Sequence, residues 1–164
     1  NPVDRVLALQ LAQTLWDRGE NGGYAQHLTA DPYAGIDAKD VLLVEAFGDH
    51  QVANVSTEVL ARTIGAVVQD DQIGPGRSLD VDPLWGIERV PSDDMSGVVL
   101  ALWDFGTPPP PTVNLPPFSP DYGEDPHGAG SSEPLVLQQA FTFLATGTVP
   151  NVCAGPCVSA VLTS

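Results

Sequence analysis

Two separate runs of consecutive apolar residues give the clearest pattern in this chain. Residues 41–46 read Val-Leu-Leu-Val-Glu-Ala, and residues 97–103 read Gly-Val-Val-Leu-Ala-Leu-Trp. Short apolar runs without polar alternation are typical of strands buried on both faces, as in a parallel sheet with helices above and below. The pattern therefore predicts an α/β fold built on two central strands.

Apolar residues at helical spacing flank these strands. Residues 3–17 carry apolar side chains on several sides, which predicts a helix covered on most of its surface. A second helix is predicted to begin with Asn54 or Ser56 as its cap and to end at Gly65. The mixed pattern of residues 66–95 predicts an irregular segment that contains two short strands. A last helix is expected from Pro134 to Gly147.

Composition limits the size and the partners of the protein. The 164 residues suit one ordinary domain, and 43% apolar with 16% charged residues is typical of a folded chain. The 16 prolines and 16 glycines indicate much loop structure, including a proline-rich stretch over residues 108–120. A net charge of -15 disfavours nucleic acid and anionic membrane surfaces as partners. The acidity otherwise predicts a solvated surface.

No apolar run reaches the roughly 20 residues that a membrane helix needs, so no membrane span is expected. Residues 1–5 lack the basic and apolar regions of a signal peptide and an initiator Met, which suggests a processed chain or an excised piece.

Two cysteines, Cys153 and Cys157, stand close together near the end of the chain. No further cysteine or nearby histidine completes a zinc site, so a small local disulfide is the better interpretation. A disulfide implies an oxidising compartment, extracellular or periplasmic.

Candidate chemistry follows each predicted strand. Asp49 and His50 come directly after the first strand, and Asp125 and His127 come after the second strand and its long loop. Loops that leave the carboxyl ends of parallel strands share one crevice, and an imidazole base needs a carboxylate on its other nitrogen. The sequence therefore predicts that Asp49 pairs with His127. His50 is expected to line the site, and Asp125 to orient the loop or to compete as the acid.

The segments Gly48-Asp49-His50-Gln51-Val52 and Asp125-Pro126-His127-Gly128, each followed by a helix, resemble the last third of the α/β-hydrolase family. In that family the triad runs nucleophile, acid, base along the chain, which implies Asp49 as acid and His127 as base. Residues 1–35 resemble the cap region of bacterial esterases and lipases. The resemblance implies a single α/β domain over 1–164, or the C-terminal portion of one, in which residues 36–164 supply the last core strands and helices of a partial hydrolase-type parallel sheet.

The chain departs from that family at its most diagnostic motif. It contains no Gly-x-Ser-x-Gly nucleophile elbow and no His-Gly-Gly oxyanion loop. Ser131 and Ser132 lack the strand-turn-helix that would expose a nucleophile. We therefore expect the serine to lie outside this chain. The edges of two central strands must also pair with something, which predicts a partner chain with the N-terminal part of the fold, or a homo-oligomer.

These observations favour a carboxylic ester hydrolase that acts on an ester or lipid-like small molecule without a cofactor. The proline-rich loop and the N-terminal helix would shape its apolar pocket. Two alternatives remain open at this point. The first is a non-catalytic secreted interaction or scaffold domain, in which Asp49 caps a helix and His127 is an exposed loop residue. More weakly, Asp49, His50, Asp125 and His127 could bind a divalent cation for a metal-dependent hydrolase.

Overall fold

The computed structural model describes residues 1–91, 93–113, 117 and 121–159. Most of the predicted proline-rich stretch lies within these ranges, but Pro116 and Pro120 lie outside the described residues.

A mostly parallel sheet forms the centre of the molecule, which confirms the α/β class. Strands β1 (Val41–Phe47) and β5 (Val98–Asp104) lie side by side and parallel along their full lengths. On its other side β5 pairs near its start with β2 (Val67–Gln69) and near its end with β7 (Cys157–Val158). Strand β3 (Glu88–Val90) pairs with β2, and all of these strands are parallel to their neighbours.

Helices lie on both faces of β5, whose side chains alternate between the two faces and join apolar clusters on each. Leu100 and Leu102 pack in a cluster with residues of helix α2 (Asn54–Ile64). Trp103 belongs to a second cluster that includes a residue of helix α3 (Pro134–Thr146). Beside α3 lies a small antiparallel pair, β4 (Met95–Ser96) and β6 (Thr148–Val149). Two 3₁₀ helices, Asn21–His27 and Ala129–Ser131, complete the described elements.

The two long strands differ in burial, which corrects one prediction. Every residue of β5 after its first is buried. In β1, by contrast, only Glu45 and Phe47 are buried, and Val44 is 41% exposed. Within the part of the chain that the structure describes, β1 pairs with β5 alone, so it is an edge strand. The prediction of burial on both faces is therefore correct for β5 and wrong for β1.

Helix α1 (Pro2–Trp16) forms where predicted but is not covered. Asn1 caps it, with a reciprocal bond between Asn1 and Asp4. None of its residues is buried. The prediction of a helix covered on most sides is thus wrong for this chain. The exposed large apolar side chains of α1 are Val3, Val6, Leu7, Leu9, Leu11, Leu15 and Trp16. Among the described residues no helix has the length and apolar character to cross a bilayer.

The start of α2 also differs from the prediction. Its cap position is Ala53, which makes no side-chain capping bond, and neither Asn54 nor Ser56 serves as the cap. The side chain of Asn54 instead reaches back toward the end of β1. Helices α2 and α3 both end as predicted, because Gly65 and Gly147 adopt the left-handed conformation that follows many helix C-termini.

Candidate functional site

A tight turn at the end of β1 delivers the first candidate residue. Gly48 has a positive φ of 83°, and a Cβ there would meet the carbonyl oxygen of Pro108 and Cγ2 of Thr107 at 3.2 Å each. Its N–H donates to Oδ1 of Asn54 at 2.8 Å, while Nδ2 of Asn54 donates to the Ala46 carbonyl at 2.7 Å. Only glycine fits this position without strain, so the turn that aims Asp49 is set locally.

Both oxygens of Asp49 have partners. Oδ1 accepts the backbone N–H groups of Gln51 at 2.7 Å and Val52 at 2.8 Å, which fixes the carboxylate in its loop. Oδ2 lies 2.9 Å from Nδ1 of His127. The structure thus brings the two side chains together across 78 positions of sequence, as predicted. Their catalytic role stays a prediction.

The contact with Asp49 changes the chemistry of the imidazole. A hydrogen bond to Asp49 and the charge of that carboxylate raise the pKa of His127 above its usual value. With Nδ1 bonded to Asp49, Nε2 of His127 has no hydrogen-bond partner among the described residues. The His127 side chain is 41% exposed, whereas that of Asp49 is 10% exposed. A half-exposed imidazole with one nitrogen held and the other open is able to exchange a proton with an incoming group.

Asp125 joins the two loops through three hydrogen bonds. Its Oδ1 accepts the backbone N–H groups of His50 at 3.2 Å and His127 at 3.0 Å, and its Oδ2 accepts Nε2 of Gln51 at 2.8 Å. Burial pushes the pKa of Asp125 upward, but these three hydrogen bonds outweigh it and hold the pKa below its usual value. Asp125 therefore orients the loop, and the described contacts give it no bond to the imidazole ring of His127.

His50 makes a different contact from the one expected of a residue lining the site. Its Nε2 lies 3.2 Å from the carbonyl oxygen of Tyr122, and its backbone is held by Asp125. The ring thus ties two loops together, and no hydrogen bond to Asp49 or His127 is present in the described contacts.

The remaining candidates do not join the site. The hydroxyl groups of Ser131 and Ser132 donate to the carbonyls of Gly128 and Ala129 in their own turn. In the described ranges no group of three or more His, Cys, Asp or Glu side chains is arranged to hold a metal ion, so Asp49, His50, Asp125 and His127 do not converge on one.

A cavity of about 430 Å³ opens beside Asp49. The proline-rich loop forms one wall, as predicted, whereas no residue of α1 lines the space. Its described lining is Phe47, Asp49, Ala53, Asn54, Val55, Glu58, Ile73, Ser78, Asp80, Pro83, Pro110, Pro111, Thr112, Val113 and Pro117.

A second cavity, of about 240 Å³, lies beside both Asp49 and His127. It borders three consecutive residues of β1, Val44, Glu45 and Ala46. Sequence reasoning did not identify Glu45, although one acidic residue inside an apolar strand run is a visible signal for it.

Arg77 is another residue that the sequence did not reveal. Its guanidinium makes two bonds to the buried carboxylate of Asp104, at 2.5 and 2.8 Å, and one to the Thr107 carbonyl at 2.5 Å. It also lies over the ring of Phe47, 5.3 Å from its centroid. This group ties the ends of β1 and β5 together beneath the site. Asp104, which directly follows the second predicted strand, was a partial signal for this ion pair.

Cys153 and Cys157 form the predicted disulfide, with Cα atoms 5.3 Å apart. Cys157 is buried and pairs in β7 against Trp103 of β5, so the bridge fastens the last strand to the central one.

Comparison of the chain with protein-family models, curated proteins and solved structures finds no match.

Proposed function

We propose that this chain supplies the acid and the base of a serine-hydrolase triad that hydrolyses carboxylic esters, with the serine carried by polypeptide outside it. The observation that supports the proposal is the 2.9 Å contact between Oδ2 of Asp49 and Nδ1 of His127 at the carboxyl edge of two parallel strands. Such a pair has the geometry of a general base and its orienting acid. In this proposal the fold is the C-terminal portion of an α/β hydrolase.

The proposed reaction has two acyl-transfer steps. Nε2 of His127 takes the serine proton while the serine oxygen attacks the ester carbonyl, and the imidazolium then protonates the departing alcohol. A water molecule repeats the sequence against the acyl-serine and releases the acid. Asp49 holds the imidazole tautomer and stabilises the imidazolium, consistent with the raised pKa of His127. The oxyanion donors come from the same external polypeptide as the serine.

The larger cavity is the proposed site for the acyl or alcohol group. Its walls of Phe47, Ile73 and prolines suit an apolar group, and Asp49 lies at its border. Its volume lies within the range of small-molecule sites.

The test begins with the identity of every polypeptide that purifies with the native protein. The assembly is assayed with p-nitrophenyl butyrate and labelled with a fluorophosphonate, which reacts with activated serines. We expect ester hydrolysis and a phosphonate label on a serine outside this chain. His127→Gln should reduce kcat by roughly 10⁶-fold. His27→Gln is the matched control, because His27 stacks on Tyr33 in the N-terminal region. Hydrolysis by this chain alone, without any phosphonate label, would show that the mechanism is wrong.

A second candidate function is a secreted interaction domain without catalysis. It is favoured by the uncovered apolar side chains of α1 and by the edge of β1 that is unpaired among the described strands, since such surfaces often mark contacts with another polypeptide. An assembly that contains a partner chain but no phosphonate-reactive serine would support this candidate over the hydrolase. Both candidates place the protein in an extracellular or periplasmic compartment, where the Cys153–Cys157 disulfide persists.

A further inference from the structure

Asn54 is a buried residue whose side-chain amide bonds the chain outside its own helix. The residue is 8% exposed and stands at the first position of α2. Asparagine favours caps and turns over helical positions, yet the cap position of α2 is Ala53, and the described hydrogen bonds of the Asn54 side chain both go to the segment before the helix. The helix therefore gains no capping bond from Asn54, and the contribution of its amide lies in the preceding turn.

The amide of Asn54 closes that turn across the end of β1. Its Oδ1 accepts the N–H of Gly48, and its Nδ2 donates to the carbonyl of Ala46. The same carbonyl also accepts the N–H of Asp49 at 3.2 Å. One backbone group needs an acceptor and the other needs a donor, and the side-chain amide supplies both at once, whereas an ionised aspartate has no donor and alanine has neither group. The closure of the turn therefore depends on the amide of Asn54.

This turn connects the carboxylate of Asp49 to β1. Oδ1 of Asp49 is held by two N–H groups of its own loop, so the carboxylate moves with that loop. The bonds from Asn54 and from the Asp49 N–H are what join the loop to the end of the strand. Oδ2 of Asp49 lies 2.9 Å from Nδ1 of His127, and a displacement of roughly 1 Å would break that hydrogen bond. The placement of the loop against β1 therefore decides whether Asp49 and His127 stay in contact.

We propose that Asn54 is a positioning residue for the Asp49–His127 pair, because its amide fixes the turn after β1 and thereby the carboxylate that holds the imidazole. Asn54 has no hydrogen bond to His127 among the described contacts, so it acts through Asp49. Asn54 and Asp49 also line both cavities, so the same turn shapes both spaces beside the pair. The importance of Asn54 for catalysis rests on the proposed function, whereas its structural link to His127 holds whether or not the pair is catalytic.

The test is a double-mutant cycle in the full chain, followed by NMR titration of the His127 imidazole. Asn54→Ala removes both bonds of the amide, and we expect the pKa of His127 to fall from its raised value by about half a pH unit or more, toward its value in Asp49→Asn. In the Asp49→Asn background, Asn54→Ala should cause no further fall, because the carboxylate through which it acts is gone. Thr29→Val is the matched control. It removes the 2.9 Å bond from Oγ1 of Thr29 to the Ile64 carbonyl at the far end of α2 and should leave the titration of His127 unchanged.

Two results would overturn the inference. An unchanged pKa of His127 in folded Asn54→Ala would mean that the amide contributes to stability alone. An equal fall in the wild-type and Asp49→Asn backgrounds would mean that Asn54 acts on the imidazole by another route. If Asn54→Ala does not fold, Asn54→Ser, which keeps a polar group in the turn, takes its place and is judged by the same two outcomes. None of these titrations involves ester turnover, so their failure leaves the hydrolase proposal in place, and loss of that proposal would not change the titrations.

Discussion

Asp49 would act on the reaction only through the imidazole that it holds, so its first measurable effect is on the titration of His127. In Asp49→Asn, the hydrogen bond and the charge that raise the pKa of His127 are weakened or lost. We expect the pKa of His127 to fall toward its usual value, as followed by NMR of the imidazole nitrogens. Asp31→Asn is the control, since Asp31 faces His27 instead. In an active assembly the amide should also reduce kcat by about 10⁴-fold.

The direction of this pKa change also fixes its effect on stability. A raised folded-state pKa means that the Asp49–His127 contact stabilises the fold below the unfolded pKa of the imidazole, and that this contribution is lost as pH rises through the folded pKa. The difference in unfolding free energy between the wild type and Asp49→Asn should therefore shrink from acid to alkaline pH in urea titrations. A constant difference would contradict the assigned contact.

Asp125 has the opposite dependence on pH, because its folded-state pKa is lowered. Its stabilising bonds to the backbone of His50 and His127 are present above the unfolded carboxyl pKa and are lost as pH falls through the folded one. We expect Asp125→Asn to reduce the free energy of unfolding by about 1–2 kcal/mol near neutral pH. The loss should vanish in strong acid. Asp121→Asn, at an exposed position of the same loop, should have no comparable effect.

Residues could be predicted from the sequence where they follow a strong local pattern. Asp49 stands just beyond an apolar run that fixes a strand, and His127 ends the long loop that leaves the second strand. Parallel strands bring the loops that follow them to one edge. Arg77 and Glu45 were missed because their importance depends on neighbours in space. Nothing in the irregular segment around Arg77 shows that it meets Asp104, 27 positions away. Asn54 was recognised as a polar residue at a helix start, but its side chain bonds the preceding turn instead.

At the scale of elements, the turn between β1 and α2 is the part on which the site geometry depends most. Gly48→Ala would force a side chain into a positive φ and within 3.2 Å of Pro108 and Thr107. Gly35→Ala is a matched control, because Gly35 has a similar φ of 80° with no atom within 4 Å of the added carbon. We expect Gly48→Ala to lower the free energy of unfolding by about 1–3 kcal/mol, and by more than Gly35→Ala. Equal losses in urea denaturation would show that the contacts with the proline-rich loop contribute nothing.

The positions of the long strands and helices followed from apolar runs, helical spacing and glycine stops, whereas the predicted burial was correct for β5 and wrong for β1 and α1. An apolar pattern shows which side chains of an element would be stabilised by burial. Both β1 and α1 have the apolar pattern of fully buried elements. In this chain β1 lies at the sheet edge and α1 has no buried residue. Both errors have the same physical cause, because burial depends on which neighbours lie against an element in space, and the apolar pattern of the element does not specify them.

At the scale of the whole molecule, the exposed apolar surface of α1 favours association with another polypeptide or another copy of this chain. The exposed apolar side chains of α1 point in all directions around its axis, and a helix that is apolar all round normally lies inside a core. In water such a surface favours association through burial of roughly 25 cal/mol per Å². The net charge of -15 opposes self-association at low ionic strength, but added salt screens that repulsion.

We therefore expect the purified chain to self-associate in physiological salt when no other polypeptide is present, and sedimentation velocity measures this directly. Leu11→Glu removes an apolar side chain from α1 and should shift the population toward monomer. Gln10→Glu adds the same charge at an adjacent exposed position without removing apolar surface, so it should sediment like the wild type. If both variants dissociate equally, charge is responsible and α1 is not the contact. If the wild type is monomeric at every concentration, the apolar helix does not drive assembly, and the open edge of β1 must be tested as the docking surface by itself.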